Sequence, residues 1–339
     1  MSKELLGEGK VSRRGFLYSA LSLAPMLLRK EPVLQDATQS LYAQQNLEQL
    51  LQLLACPPSD KPDFGIVTDP TKTTPEVLKR FEVVTSQVGR ADRIGIFSQL
   101  NDLESDEQQY AFLKQLTEIS QRLRNAKPQI ALGCSQTPNE QHLFAPSNEL
   151  WLKVKFQSVA DVLKAFHKPV EIRFLYEMNT LNFNYSRGQF SISDKDQVEG
   201  FRKATFLFDD ILKKTEIREA VTLIFNPTAW QDFSQYSLDY FDEVALDVYD
   251  MSYLKGVVLG SWWFPPGKLT PRQVIDGPVK KLVSVAGRKK ISFGELGSFS
   301  NDVSWLLNFV LCAAVNNVTK ITPFDVDKTP YEANFQVSP

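Results

Sequence analysis

The sequence is poor in the residues on which several functional classes depend. Its 339 residues include only three Cys and two His. Cys56, Cys134 and Cys312 form no CxxC pair and cannot build a disulfide framework, so either one bridge or free buried thiols are expected. Two His are too few for a histidine-rich metal centre. The net charge is −2 and no long basic run occurs, which does not indicate nucleic-acid binding. We therefore expect no metal, no cofactor and no nucleic-acid partner.

An apolar run of signal-peptide length lies near the N-terminus. Residues 12–17, SRRGFL, resemble the twin-arginine export signal, and the apolar stretch that follows is too short to span a bilayer comfortably. An amphipathic N-terminal helix is the alternative. No A-x-A site follows, so the segment either is cleaved elsewhere or stays as a membrane tether. We predict that residues 1–32 direct export through the twin-arginine machinery to the periplasm or the cell exterior.

The rest of the chain divides into two parts. Residues 33–60 carry Leu at helical spacing and predict a short helical extension. From residue 61 to 339, apolar segments of strand length alternate with helical segments, although the helix between the fifth and sixth strands is missing or very short. The predicted strands are residues 63–69, 93–100, 128–134, 170–177, 220–226, 243–250, 290–297 and 320–326. The predicted helices are residues 73–88, 105–124, 149–166, 197–214, 271–286 (with a kink or break at Gly277-Pro278) and 302–317.

These strands are continuously apolar rather than alternating, which is typical of strands covered on both faces. Eight such units in about 270 residues predict an α/β fold, the (β/α)8 TIM barrel. The alternative is an open doubly wound sheet. A dinucleotide-binding version of that sheet carries G-x-G-x-x-G after its first strand, and this chain does not.

Polar side chains gather at the carboxyl ends of the predicted strands, where barrel enzymes carry their chemistry. Glu177 and Glu295 end strands that are three apart, close to opposite across the barrel mouth. Glycoside hydrolysis needs such a pair, because one acid must protonate the leaving oxygen while one carboxylate attacks the anomeric carbon or activates water. Arg173 is expected deeper in the same interior, with pairing to Glu171 or another buried acid as the alternative. The other polar or aromatic residues at these ends are Asp69, Gln99, Cys134, Ser135, Gln136, Asn179, Asn226, Trp230, Asp247, Tyr249 and Asp325.

Residues 173–179, RFLYEMN, resemble the R-x-x-H-E-M-N segment of glycoside hydrolase family 26, the β-mannanase family. Residues 291–298, ISFGELGS, are similar to the family's nucleophile strand, and residues 240–250 are similar to its V-D-x-x-G-x-D-x-Y strand. The resemblance implies a retaining (β/α)8 β-glycosidase with Glu177 as the acid/base and Glu295 as the nucleophile. It also implies that Tyr249 hydrogen-bonds the nucleophile and that Arg173 supports it from below.

The chain departs from the family pattern at two places. Tyr176 stands where the family has a His that contacts substrate, and residues 237–240, SLDY, stand where the family has P-G-D. Trp262 and Trp263, in the loop after the sixth strand, are candidates either to stack on a sugar ring or to plug the barrel rim. The full set of candidate substrate-binding residues is Arg173, Tyr176, Asn179, Asn226, Trp230, Tyr249, Trp262 and Trp263.

These features together predict a secreted, endo-β-mannanase-like glycoside hydrolase that cleaves a polysaccharide such as β-mannan. One alternative is a non-catalytic carbohydrate-binding barrel derived from such an enzyme. Another is a barrel enzyme of a different chemistry.

Overall fold

The computed structural model describes part of the chain. The described residues are 63–68, 91–122, 127–134, 142–180, 183–184, 189–190, 194–229, 232–250, 258–259, 262–263, 271–298, 318 and 320–325. All of them belong to one unit that spans Leu50–Pro339. The predicted signal segment, the helical extension and the helices predicted at 73–88 and 302–317 lie outside these residues. Among the helices that are described, none has the length and apolarity needed to cross a membrane.

Eight parallel strands form a closed barrel, which confirms the predicted architecture. Each strand pairs with its neighbours in chain order, and the last strand closes the barrel against the first. The strands are β1 (Asp63–Thr68), β2 (Ala91–Gln99), β3 (Lys127–Gly133), β4 (Val170–Phe174), β5 (Val221–Phe225), β6 (Glu243–Asp250), β7 (Lys290–Ser298) and β8 (Lys320–Asp325). Outside the barrel, two antiparallel pairs of short strands join Phe183–Asn184 to Gln189–Phe190 and Val258–Leu259 to Trp262–Trp263.

Four α-helices lie in the described part of the chain: α1 (Asp106–Arg122), α2 (Glu149–Phe166), α3 (Asp194–Lys214) and α4 (Pro271–Ala286). Each confirms a predicted helix. In α2, the buried residues Leu152, Phe156, Val159, Leu163 and Phe166 recur every three or four positions and form one apolar face. The α4 helix continues through Pro278 instead of breaking there. Burial of the residues that follow Pro278 stabilises the last turns despite the lost backbone hydrogen bond.

The strands of the barrel separate an apolar outer layer from a polar interior. On β4, Phe174 packs against Phe156 of α2 and Phe208 of α3, with ring centroids 5.4 Å and 4.9 Å away, so it faces the helices. The alternating residues Glu171 and Arg173 face inward, because side chains reverse direction at each strand position. Low in the barrel, Glu171 accepts a hydrogen bond from Gln129 of β3 at 2.9 Å and lies 3.9 Å from the guanidinium of Arg93 of β2.

An aromatic loop covers the barrel where the sequence predicts a missing helix. Residues 226–229 and 232–242, the described part of the β5–β6 connection, contain no helix. Phe241 stacks on Phe201 of α3 with the two rings 5.9 Å apart, and Tyr236 meets the same ring edge-on at 5.4 Å. The centre of the Phe225 ring, on β5, lies 6.2 Å from the centre of the Tyr236 ring and 5.4 Å from that of the Phe241 ring. These rings bury apolar area that a helix would otherwise bury.

Arg218, in the turn between α3 and β5, fastens this loop to the barrel. Its guanidinium donates to Asp209 of α3 at 2.7 Å, to Asp242 at 3.1 Å and to the backbone carbonyls of Val221 and Tyr240 at 2.9 Å and 3.2 Å. Burial lowers the pKa of Arg218, but its hydrogen bonds with Asp242 and Asp209 outweigh burial and raise that pKa above the ordinary value. The Arg218 guanidinium therefore joins α3, the start of β5 and the end of the loop.

A second contact fastens the loop to α4 near the middle of the loop. The Lys281 ammonium lies 2.5 Å from the Asp232 carboxylate and 5.4 Å from the centre of the Phe233 ring. Burial raises the pKa of Asp232, but hydrogen bonds from Lys281 and the Ser234 backbone outweigh it and bring the pKa down to about 2. The Asp232 carboxylate is therefore ionised throughout the neutral range.

Candidate active site

Glu177 lies just beyond β4 in an unusual backbone conformation. The strand ends at Phe174, three residues earlier than predicted, because Leu175 and Glu177 adopt positive φ angles of 44° and 54°. Two backbone hydrogen bonds hold this segment between the neighbouring strands: Tyr176 N–H donates to Leu132 O at 3.2 Å, and Glu177 N–H donates to Asn226 O at 2.7 Å. Left-handed conformations of non-glycine residues cost roughly 1–2 kcal/mol each and concentrate at functional sites. The half-buried Glu177 is thus fixed at the carboxyl end of the barrel.

Beneath Glu177, a buried polar cluster joins three strands. The guanidinium Nη1 of Arg173 on β4 donates to Asn226 Oδ1, just after β5, at 3.1 Å, and to Asp247 Oδ1 on β6 at 3.3 Å. The Arg173 and Asp247 side chains are both 0% exposed. The sequence leaves the acid partner of Arg173 open between Glu171 and another buried acid, and the structure pairs Arg173 with Asp247. We call these three residues the Arg173 cluster.

A β-bulge in β7 brings Glu295 level with this cluster. Phe293 pairs with Leu246, but the next paired residue is Glu295, which stands opposite Asp247, so Gly294 is the extra residue. A Cβ atom at Gly294 would lie 2.6 Å from Asp247 Oδ1, 2.7 Å from Asn226 Oδ1 and 3.1 Å from Arg173 Cδ. Because Gly294 has no side chain, β7 can run past the Arg173 cluster without a steric clash.

Two residues of β2 and one that follows β4 line the mouth beside Glu177. The Phe97 and Tyr176 rings lie 5.5 Å apart, and the Arg173 guanidinium lies 5.9 Å and 5.8 Å from their centres. At the end of β3, a Cβ on Gly133 would lie 2.7 Å from the Tyr176 ring and 2.8 Å from the Gln99 amide oxygen. The side chains of Tyr176 and Gln99 thus meet over Gly133. Phe97, Gln99 and Tyr176 are half-buried, and we call them the β2–β4 wall.

Asn179 belongs to the scaffold of this mouth. It is 2% exposed and exchanges two hydrogen bonds with the backbone of Thr228: its Nδ2 donates to Thr228 O at 3.0 Å, and its Oδ1 accepts from Thr228 N–H at 2.8 Å. The Thr228 segment in turn bridges to Asp247 of β6. Asn179 therefore ties the β4–α3 connection to the β5–β6 connection.

Several predicted site residues are known here only by position. Glu295 lies on β7, and Tyr249 lies on β6, where it pairs with Gly297 of β7. The side chains of Glu295 and Tyr249 are not among those that the structure describes. The same holds for Trp262 and Trp263 in their short antiparallel pair. Trp230 lies outside the described residues altogether. The structure therefore brings together Glu177, Arg173, Tyr176, Asn226 and Asp247.

Three residues of this end of the barrel have no place among the sequence-based candidates: Phe97, Gly133 and Gly294. Phe97 precedes Gln99 by two positions on β2, so strand alternation would have placed it on the same face. The sequence offers one signal for the two glycines, which is their position. Gly133 ends β3 directly before Cys134, and Gly294 stands directly before Glu295. In the described part of the chain, no group of three or more His, Cys, Asp or Glu could hold a metal ion. A cleft of about 590 Å³, lined in part by Thr222, Glu243 and Lys290, opens at the opposite end of the barrel.

Comparison with known proteins identifies the fold. No protein-family model and no curated protein sequence matches the chain. Among solved structures, a Bacillus subtilis mannanase is 16% identical with a TM-score of 0.55, over 87% of this chain and 89% of that one. A second Bacillus subtilis mannanase structure is 17% identical with a TM-score of 0.55, over 83% of this chain and 86% of that one. A glycoside hydrolase family 5 enzyme from Prevotella bryantii is 12% identical with a TM-score of 0.51, over 82% and 94%. At these identities the likeness is one of fold: the chain has the (β/α)8 barrel that these glycoside hydrolases share.

Proposed function

We propose that this protein is a retaining β-glycoside hydrolase in which Glu177 is the acid/base and Glu295 is the nucleophile. One observation carries the proposal: both residues lie at the carboxyl ends of β4 and β7, three strands apart in a closed parallel barrel. Active sites of this fold lie at that end. A retaining mechanism requires carboxyl groups about 5–5.5 Å apart, because one must form a bond to carbon while the other donates a proton.

The two carboxyl groups act in sequence. In the first step, Glu177 donates its proton to the glycosidic oxygen, and Glu295 attacks the anomeric carbon to form a covalent glycosyl–enzyme ester. In the second step, Glu177 takes a proton from water, and that water displaces Glu295. Tyr249 is proposed to donate a hydrogen bond to Glu295. Arg173, which is buried and paired with Asp247, supports the site from below without reaching the substrate.

The proposed substrate is a polysaccharide, and β-mannan cleaved internally is the first candidate. This choice follows the family 26 resemblance and the fold shared with two mannanases. Tyr176 and the three tryptophans Trp230, Trp262 and Trp263 are proposed to contact sugar rings, since exposed aromatic faces bind the apolar faces of pyranoses. Asn179 and Asn226 are proposed to shape the same subsites through their contacts with Thr228 and Arg173.

The proposed site of action is outside the cytoplasm. Residues 1–32 would carry the folded protein to the twin-arginine machinery, which suits a single large barrel. Replacing both Arg13 and Arg14 by Lys should retain the protein in the cytoplasm of the producing cell. Cell fractionation, with a periplasmic marker as control, measures this. Unchanged secretion of the double variant would contradict the twin-arginine route.

The catalytic proposal is tested with Glu177→Gln and Glu295→Gln on a panel of mannan, xylan, mixed-linkage glucan and cellulose. Both variants should lose hydrolysis of the wild-type substrate while still binding it. An aryl glycoside with an acidic phenol as leaving group separates the two roles. Glu177→Ala should still release the phenol, because that leaving group needs no proton, whereas Glu295→Ala should not. NMR of the first-formed anomer tests retention. Binding without hydrolysis by the wild type would favour the non-catalytic alternative.

A further inference from the structure

The turn that carries Glu177 has a shape that regular secondary structure does not maintain. It follows β4 and comprises residues 175–179, which we call the Glu177 turn. The backbone N–H groups of Tyr176 and Glu177 hold its first half to the neighbouring strands. The positive φ angles of Leu175 and Glu177 are strained in non-glycine residues and persist only where surrounding contacts impose them. The contacts of the second half therefore also determine how firmly the Glu177 side chain is placed.

Gln197 of α3 holds the second half of the Glu177 turn. Its side-chain Nε2 donates a hydrogen bond at 2.6 Å to the backbone carbonyl oxygen of Met178, the residue that directly follows Glu177. Gln197 is 3% exposed and Met178 is 0% exposed, so bulk water does not reach this carbonyl. A buried acceptor that loses its donor is unfavourable. Without the Gln197 amide, we therefore expect the turn to shift until the carbonyl meets another donor.

The position of Gln197 in α3 is one that packing alone would give to an apolar residue. The residues on this buried face of the helix recur at spacings of four, three and four: Gln197, Phe201, Ala204 and Phe208. Phe201 and Phe208 pack against Phe174 of β4, with ring centroids 6.0 Å and 4.9 Å away. A polar side chain on such a face needs a hydrogen-bond partner there. The Met178 carbonyl provides one, which connects the amide to the Glu177 turn.

The proposed chemistry makes the placement of Glu177 demanding. A general acid must lie within hydrogen-bond reach of the oxygen that it protonates, about 2.6–3.2 Å. A displacement of about 1 Å can lower a rate about a hundredfold, even when the substitution lies far from the reacting atoms. Because Met178 follows Glu177 directly, a shift of its carbonyl changes the backbone that sets the direction of the Glu177 side chain.

We propose that Gln197 is a positioning residue for Glu177: through the Met178 carbonyl, its amide holds the Glu177 turn in the conformation from which the Glu177 carboxyl group transfers its proton. Gln197 acts through Met178 and not by contact with the substrate. Asn179, with its two hydrogen bonds to the Thr228 backbone, holds the end of the same turn to the β5–β6 connection. The proposal rests on the proposed glycosidase function, in which Glu177 is the acid/base.

Gln197→Met removes the amide donor and keeps a side chain of similar volume. Its matched control is Gln109→Met in α1, which also removes a hydrogen bond from a glutamine amide to a backbone carbonyl, that of Leu103, at 3.4 Å. The substrates are aryl β-glycosides of the disaccharide unit of the wild-type substrate, β-mannobiose for mannan. The leaving group of a phenyl glycoside needs a proton, whereas that of a dinitrophenyl glycoside does not.

Gln197→Met should lower kcat/KM about ten- to hundredfold on the phenyl glycoside and less than about threefold on the dinitrophenyl glycoside. With the dinitrophenyl glycoside, the second step still needs Glu177 as the base. The glycosyl–enzyme ester should therefore accumulate, and kcat and KM should fall together. A purely structural role of Gln197 would lower the activity on both glycosides alike. Gln109→Met should keep the wild-type ratio of kcat/KM between the two glycosides.

A double variant tests whether Gln197 acts through Glu177. In the Glu177→Ala background, Gln197→Met should change kcat/KM on either glycoside less than about twofold, because no carboxyl group is left to position. If Gln197→Met does not fold, Gln197→Asn carries the same tests, since it keeps an amide but is one methylene group too short to reach the Met178 carbonyl.

The outcomes separate the role of Gln197 from the proposed function. Equal losses on both glycosides, a loss no larger than that of Gln109→Met, or an additive loss in the Glu177→Ala background would overturn the positioning role and leave the glycosidase proposal standing. Full activity of Glu177→Ala on the phenyl glycoside would overturn the acid/base assignment, and the role of Gln197 with it. A wild type that hydrolyses neither the glycosides nor any polysaccharide of the panel would overturn both proposals.

Discussion

Gly294→Ala offers a direct probe of how the candidate site is built. The two oxygens nearest to the new methyl group, Asp247 Oδ1 and Asn226 Oδ1, are the same two that accept hydrogen bonds from Arg173. At 2.6 Å and 2.7 Å the methyl carbon would lie well inside van der Waals contact, so both oxygens must move. Neither can turn to water, because Asn226 and Asp247 are 0% and 1% exposed.

The size of the effect follows from that burial. Inserting a methyl group into a close-packed interior costs roughly 1–3 kcal/mol. Removing one partner of a buried ion pair costs about 3–5 kcal/mol, and here the pair is displaced rather than removed. We therefore expect Gly294→Ala to lower the free energy of unfolding by about 2–4 kcal/mol. Gly277→Ala, the control in α4, should raise it by roughly 0.5–1 kcal/mol, because alanine is the better helix former.

Urea denaturation of the two variants and the wild type measures this, with the slope of the transition checked for constancy. A lowered midpoint at constant slope identifies a change in stability. The hydrolytic rate should also fall, because Glu295 follows the displaced bulge directly in the chain. A stability of Gly294→Ala within about 1 kcal/mol of that of Gly277→Ala would refute the account of β7 passing tightly over the Arg173 cluster.

Two further predictions concern the β5–β6 loop. Arg218→Met should lower the free energy of unfolding by about 2–3 kcal/mol, because the charged hydrogen bonds to Asp209 and Asp242 are lost. Arg218→Lys should recover only part of this loss, because lysine lacks the guanidinium fork. Equal stability of the wild type and both variants in urea would contradict the role of Arg218 in holding the loop. The pKa of Asp232, about 2, lies below the usual 3.9 of an unfolded chain, so its pairing with Lys281 stabilises the fold above about pH 4 and is lost as the pH falls towards 2. Asp232→Asn should therefore lose less stability than the wild type between about pH 5 and pH 2. The difference should be modest, because the Asp232 side chain is 54% exposed, and an identical loss in both proteins would count against the contact.

The strands of this protein could be predicted from the sequence because each is a continuous apolar run ended by polar residues. Their carboxyl ends then indicated where Glu177 and Asp247 would lie. The early end of β4 could not be predicted, since Leu175 and Glu177 are not residue types that mark positive φ. Their conformation is imposed by hydrogen bonds to β3 and β5, which are distant in the chain.

The arrangement of the site depends on register, and register is not a local property of the sequence. Arg173 has two candidate acids facing the same interior, Glu171 on its own strand and Asp247 two strands away on β6. Only the alignment of β4, β5 and β6 selects Asp247 over Glu171. The bulge at Gly294 is similar, because a glycine before Glu295 does not by itself indicate a register shift. The wall of Phe97, Gln99 and Tyr176 likewise exists only once three strands are aligned.

The aromatic connection between β5 and β6 also has a consequence for engineering. Barrel loops vary widely on a constant scaffold, because loops tolerate change better than the elements that they connect. This one is fastened by Arg218 at its end, by Lys281 near its middle and by rings inserted against α3. A graft that replaces it must bring its own apolar cover for Phe201 and Phe225 and its own partners for Arg218 and Lys281, which otherwise lose the contacts that the native loop provides.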